Sequence, residues 1–176
     1  ENVANEHLIA LQQNSETLLP SLVERAYNQG RYAQICCAGT THPRLCGMWT
    51  GEWNSGWRGI YTMDANVNLQ SSGMNTGNIY DAGESYIRFV LKQIPDWEEN
   101  AAKTYGMTDA IQVPVNTDGD RAMMVEYSRW YPFQYWNAGA SWMLLPIYEF
   151  WQCYGNRTIE YNGEKLDLEK DILLPL

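Results

Sequence analysis

Apolar residues recur at helical spacing in three regions of this chain. Leu19, Leu22, Val23, Ala26 and Tyr27 trace one face of a helix that starts near Leu19, with Pro20 in its first turn, and stops at Gly30. The following run, Arg31 to Ala38, is apolar on most sides and ends at Gly39, which predicts a short buried helix or a continuation of the first. Ile79, Ala82, Gly83, Tyr86, Ile87, Val90, Leu91 and Ile94 then keep the helical period, with Asn78 placed to cap the start and Pro95 to break the end. Asp96 to Tyr105 reads as a second helix with Ala101 and Ala102 inward, closed by Gly106. The third region, Ala138 to about Tyr154, follows a capping Asn137 and is apolar or aromatic on nearly every face. It predicts a buried helix kinked at Pro146 and ended by Gly155.

Between these helices the pattern is irregular. Thr40–Tyr61 and Met107–Tyr135 have no period, and loops this long in a compact domain are often functional. Met63 to Ser72 fits a strand by alternation and a helix by the spacing of Met63, Val67 and Ser71, and periodicity does not choose between them. Tyr161–Glu164 is a turn signal, and Leu166–Leu176 reads as a helix that has only begun. The expectation is an all-α chain of paired helices with long aromatic loops collected at one end, one domain over residues 1–176 and a piece of a larger one.

Composition sharpens this picture. The chain of 176 residues is 45% hydrophobic, yet it holds 8 Trp and 12 Tyr against 3 Phe. Large rings with a polar handle suit a wet cleft better than a dry core. A net charge of −9 without clustered Lys or Arg excludes a nucleic-acid partner, and no apolar stretch is long enough to span a bilayer. The start, Glu1 to Glu6, has none of the pattern of an export signal. Cys36, Cys37, Cys46 and Cys153 match neither a zinc site nor a small disulfide framework, so the first two read as buried thiols. No cofactor is implied.

The chemistry concentrates between Gly47 and Gly77. Trp49, Trp53 and Trp57 alternate with glycines, and Asp64, Asn66, Asn68 and Gln70 recur at every second position. Aromatic faces stack on sugar rings while amides and carboxylates bond hydroxyls, so this composition fits a carbohydrate pocket, with a Trp/Gly packing loop as the alternative. Asp64 is a candidate base or water-positioning group, or else a helix cap. Glu52, between two tryptophans, is a second acid candidate. Asn116 and Asp118 suit sugar hydroxyls, although Asn116–Asp120 is also a good turn sequence. Asp64, Asp118 and Asp120 as a calcium site lack enough oxygen donors. His7 and His42 are too far apart for a nucleophilic dyad and read as surface residues.

Read in order, Gly30-Arg31-Tyr32, Leu45-Cys46-Gly47-Met48-Trp49, Asn54-Ser55-Gly56-Trp57, Tyr61-Thr62-Met63-Asp64-Ala65-Asn66, Ala102 to Gly106, Asn116-Thr117-Asp118 and Trp136 to Trp142 resemble glycoside hydrolase family 95. The resemblance runs from about Leu19 to Leu176. It implies the first half of an (α/α)6 barrel, in an inverting α-L-fucosidase or α-L-galactosidase acting outside the cytoplasm (secreted, periplasmic or cell-surface) on an oligosaccharide or glycoconjugate. Two family asparagines that help position the attacking water fall on Asp64 and Asn66, so these are the implied catalytic residues. Trp49, Trp57, Asn116 and Asp118 are the implied substrate-binding residues. No metal is implied.

The general acid would belong to the remainder of the barrel, which leaves the fragment inactive alone. Asp64 departs from the family's Asn, the family's Met-Asn-Tyr-Trp becomes Leu69-Gln70-Ser71-Ser72, and its paired histidines before Asn116 become Pro114 and Val115. A non-catalytic carbohydrate-binding relative is the competing expectation.

Overall fold

The computed structural model describes residues 3–39, 42–45, 53–54, 56–122, 130 and 135–176. Its elements in order are α1 (Asn5–Gln13), α2 (Pro20–Cys37), a 3-10 turn (Gly56–Gly59), β1 (Tyr61–Thr62), α3 (Asn66–Ser71), α4 (Tyr80–Tyr105), β2 (Asn116–Thr117), α5 (Gly139–Tyr154), β3 (Thr158–Tyr161), β4 (Glu164–Asp167) and a π-helical turn, Leu168–Leu173. β1 pairs antiparallel with β2, and β3 with β4. The fold is mostly helical rather than all-α, and the described helices do not close into a ring.

One core runs through the molecule. The inner face of α4 (Tyr86, Ile87, Val90, Trp97) meets Met143, Ile147 and Phe150 of α5, Met63 and Val67 around α3, and Ile159, Leu168 and Ile172 from the C-terminal hairpin and turn. α4 keeps its period for 26 residues straight through Pro95, which is exposed, so the expected break does not occur. Gly106 ends it in the left-handed conformation, as its sequence position predicts. Asn78 and Asn137 do not cap: the residues before α4 and α5 are Ile79 and Ala138, with no side-chain cap bond.

α1, absent from the sequence expectation, pairs with α2. α2 is continuous through Gly30, but none of its residues is buried, contrary to the expected buried run from Arg31. It is docked by polar bonds instead: Arg31 Nε donates to Gly77 O at 2.8 Å and Gln34 Nε2 to Gln70 O at 2.8 Å. Cys36 and Cys37 are accordingly half-buried free thiols, not buried ones, and Cys153 is exposed. Cys46 lies outside the described residues. α5 is buried on one side only, since Leu145 and Tyr148 are exposed. The expected turn at Tyr161–Glu164 joins two strands, with Asn162 and Gly163 at positive φ, and a π-helical turn stands where a helix was expected to begin.

Pro146 explains a residue that the alternation drew toward a sugar pocket. A proline inside a helix withholds the N–H that the carbonyl four residues earlier needs, here that of Trp142. Asn68 supplies the donor from α3: its Nδ2 lies 2.5 Å from Trp142 O, and its Oδ1 accepts from the Tyr86 hydroxyl at 2.8 Å. The same hydroxyl reaches Met143 O at 2.8 Å. Asn68 is therefore a structural joint between α3, α4 and α5. Asn68→Ala leaves the Trp142 carbonyl without a donor and is expected to cost about 2–3 kcal/mol, read by chemical denaturation. A loss near zero would mean that water takes over both bonds.

Candidate functional site

The segments that carry Asp64 and Asn116 are distant in sequence and joined in space. Tyr61 pairs with Thr117 and Thr62 with Asn116, and Met63 N donates to Val115 O at 2.7 Å. Paired residues of an antiparallel ladder point to the same face, and successive residues alternate. Tyr61, Met63, Val115 and Thr117 therefore point inward, where all four are buried. Thr62 and Asn116 share the other face, and Asp64 follows in the turn, residues 63–65, that leads into α3.

Asp64 is exposed, Asn66 half-buried as the first residue of α3, and Asn116 buried. The Thr62 hydroxyl is buried without a hydrogen-bond partner among the described residues. No described residue bonds the Asp64 carboxylate or the Asn66 amide, and Asp64 caps nothing, because the residue before α3 is Ala65. The alternation through Asp64, Asn66, Asn68 and Gln70 is not a strand: from Asn66 the chain is helical, so these residues fan out. Gln70 Nε2 turns away to Leu45 O at 2.6 Å.

Asp118 behaves as its turn sequence predicts. One carboxylate oxygen accepts the backbone N–H groups of Asp120 at 2.9 Å and Arg121 at 2.7 Å. The ladder's register ends at Thr62 and Asn116, with Asp64 two residues beyond β1 and Asp118 one residue beyond β2.

Asp120 pairs with Lys92 at 2.9 Å, and among the described residues no three metal-ligating side chains gather. Trp57 sits in the 3-10 turn at φ 58 with 70% of its surface exposed, free to present its ring to a ligand. Trp49 and Glu52 lie outside the described residues.

The sequence reading of His42 is overturned. It is buried, with its ring edge-on to Tyr86 at 5.0 Å and tilted on Phe89 at 5.6 Å, while its carbonyl accepts the Tyr61 hydroxyl at 2.7 Å. Ser71 Oγ lies 2.6 Å from His42 Nε2 and gives its proton to Val67 O at 2.7 Å, so it accepts from the imidazole. Burial pushes the imidazole down to about 3, against a smaller opposing effect of the Val67 carbonyl. A neutral, enclosed histidine bonded to a hydroxyl that is itself committed is a scaffold, not a nucleophilic dyad. A polar residue in an irregular stretch gave no sequence signal of this.

The loop after β2 is pinned to α4. Asp96 accepts from Arg121 Nε at 3.1 Å, Arg121 Nη2 at 2.9 Å and the backbone N–H of Ala122 at 2.7 Å. The Arg121 hydrogen bonds hold the Asp96 carboxyl below the usual carboxylate range, with burial opposing and Ala122 assisting. Sequence reasoning placed Asp96 at the head of a helix and gave it no partner. Ion pairs across a 25-residue gap leave no periodic trace.

No described helix is long and apolar enough to cross a membrane. Among curated proteins none matches this chain. The glycosyl hydrolase family 95 catalytic domain matches it over residues 2–162, nearly its whole length, and the chain belongs to that family of glycoside hydrolases.

Proposed function

We propose that this chain carries the water-holding side of an inverting glycosidase site, acting on α-L-fucosides or related α-linked sugars. The chain then forms part of an (α/α)6 barrel. The carrying observation is the β1–β2 ladder, which pairs Thr62 with Asn116 and leads directly into the turn of Asp64 and the helix that Asn66 begins.

Inversion requires a carboxylic acid on one side of the glycosidic bond and a base that activates water on the other. Asp64 is exposed and unengaged among the described residues, so its carboxylate can accept a proton from that water, where an amide could only orient it. Asn66, Asn116 and the unpartnered Thr62 hydroxyl supply bonds to the water or to sugar hydroxyls. Trp57 offers a face for the apolar side of the ring. Asp118 has a carboxylate oxygen committed to its own turn, so the general acid is assigned to a part of the catalytic domain outside these residues.

The test is turnover of aryl α-L-fucosides, α-L-galactosides and related glycosides by the full-length protein, with the anomer of the first product read by NMR. Asp64→Ala is expected to lower turnover at least tenfold. Asp64→Asn, whose amide can orient water but not take its proton, is expected to lower turnover as well. Turnover unchanged by Asp64→Ala would remove Asp64 from the mechanism, and sugar binding without turnover would make the protein a carbohydrate-binding relative.

A further inference from the structure

A two-residue ladder does not hold itself together in water. β1–β2 must therefore be kept in register by what lies behind it. The loop after β2 rests on one face of α4 through a set of polar bonds around the buried Ala122. Lys92 Nζ meets Asp120, Gln93 Nε2 donates to Gly119 O at 3.1 Å, and Asn100 Nδ2 donates to Ala122 O at 2.9 Å and Gln112 O at 3.3 Å. Gln112 N in turn donates to Trp97 O at 2.9 Å.

These bonds are unequal. The Lys92–Asp120 pair is solvated, with 46% and 85% of its side chains exposed, and such pairs contribute little. The Asp96 carboxylate is the enclosed one, 14% exposed, and its third bond goes to the N–H of Ala122, a residue with no exposed surface. A forked guanidinium–carboxylate pair also fixes direction, because two N–H groups must align with the carboxylate.

We propose that Asp96 is a positioning residue: its joint hold on Arg121 and Ala122 sets the strand of Asn116 against β1, which leads into Asp64. The proposal rests on the reading that this ladder bears the site. Asp96 is not itself placed in the site. It acts through the loop from Asn116 to Ala122, whose turn is closed from inside by Thr117 Oγ1 donating to Arg121 O at 2.6 Å and by the Asp118 carboxylate. A loop stiffened within and clamped at Arg121 and Ala122 moves as one piece, and β2 moves with it.

The experiment compares Asp96→Ala, Asp96→Asn and Asp64→Ala in the full-length protein, at a temperature where circular dichroism shows all of them folded. For Asp96→Ala we expect kcat to fall at least tenfold with KM within about threefold, since geometry at the water is lost rather than sugar contacts. Asp96→Asn, which keeps an oxygen for the Ala122 N–H, should recover part of kcat. Independently of any turnover, hydrogen exchange at the Met63 amide, which bonds Val115 O, should accelerate at least tenfold in Asp96→Ala.

Unchanged exchange at Met63 overturns the proposal whatever the kinetics. Unchanged kcat in Asp96→Ala beside a loss in Asp64→Ala also overturns it, while keeping the site on the ladder. A loss in Asp96→Ala with none in Asp64→Ala supports the clamp on Asn116 and overturns the role given to Asp64.

Discussion

Gly119→Ala is expected to destabilise the protein by about 2–5 kcal/mol and to lower its thermal midpoint by roughly 5–15 °C. Two causes add. Gly119 sits at φ +80, a conformation that costs an L-residue about 1–2 kcal/mol. A Cβ there would lie 2.0 Å from Cε2 and 2.4 Å from Cδ2 of the Tyr61 ring, an overlap that forces movement at about 1–3 kcal/mol. The ring cannot easily yield, because it stacks on Phe89 at 4.8 Å and its hydroxyl is tied to His42 O. Tyr61 belongs to β1, so whatever moves the ring also moves the strand that leads into Asp64. A fall in midpoint of under 2 °C would show that the ring swings aside freely, and the ladder would then be softer than its contacts imply.

The helices were legible where burial enforces a period. Four turns of apolar residues from Ile79 to Ile94 announced α4 because that face packs on α5. Pro95 misled because the helix carries it on its exposed side, where the missing bond is most easily tolerated. α2 was legible from its apolar face, but that face is not what docks it, and α1 gave no period. Hydrogen bonds from Arg25, Arg31 and Gln34 to carbonyls hold α2, and such bonds leave no hydrophobic stripe. Pro146 lies within a continuous α5, and the donor that answers its missing bond was not legible, since nothing in a linear pattern links position 68 to the carbonyl of position 142.

For the site, the sequence located two segments and could not join them. Asp64 and Asn116 became neighbours only through a ladder of two residues, too short for any alternation to signal. Asp118 shows the converse. Its neighbours Gly119 and Asp120 favour a turn as strongly as a ligand, and the turn claims its oxygen. His42 stands apart from both. Its burial follows from Tyr86, Phe89 and Tyr61 closing around it, and those contacts span 19 to 47 residues.

That burial makes stability depend on pH in a window of its own. The folded imidazole is held down to about 3, whereas in the unfolded chain it titrates at its ordinary 6.5. Above pH 6.5 both states are neutral and nothing changes. Below it the unfolded chain binds a proton that the folded protein refuses, so stability falls by up to about 1.4 kcal/mol per pH unit, reaching roughly 4 kcal/mol near pH 3. The depressed carboxylates act lower. Asp96, Asp120 and Asp167 contribute stability above their ordinary 3.8 and lose it only as pH falls past that value. Between pH 6.5 and about 4.5 the slope therefore belongs to His42. Its neighbours Ser71, Phe89 and Tyr86 bring no countercharge there, because burial raises Tyr86 well above its usual range. Unfolding free energies from chemical denaturation across this interval should decline by about 2 kcal/mol in the native protein and stay flat in His42→Asn, which starts from a lower stability. An equal decline in the variant would take the proton uptake away from His42 and give it to another group.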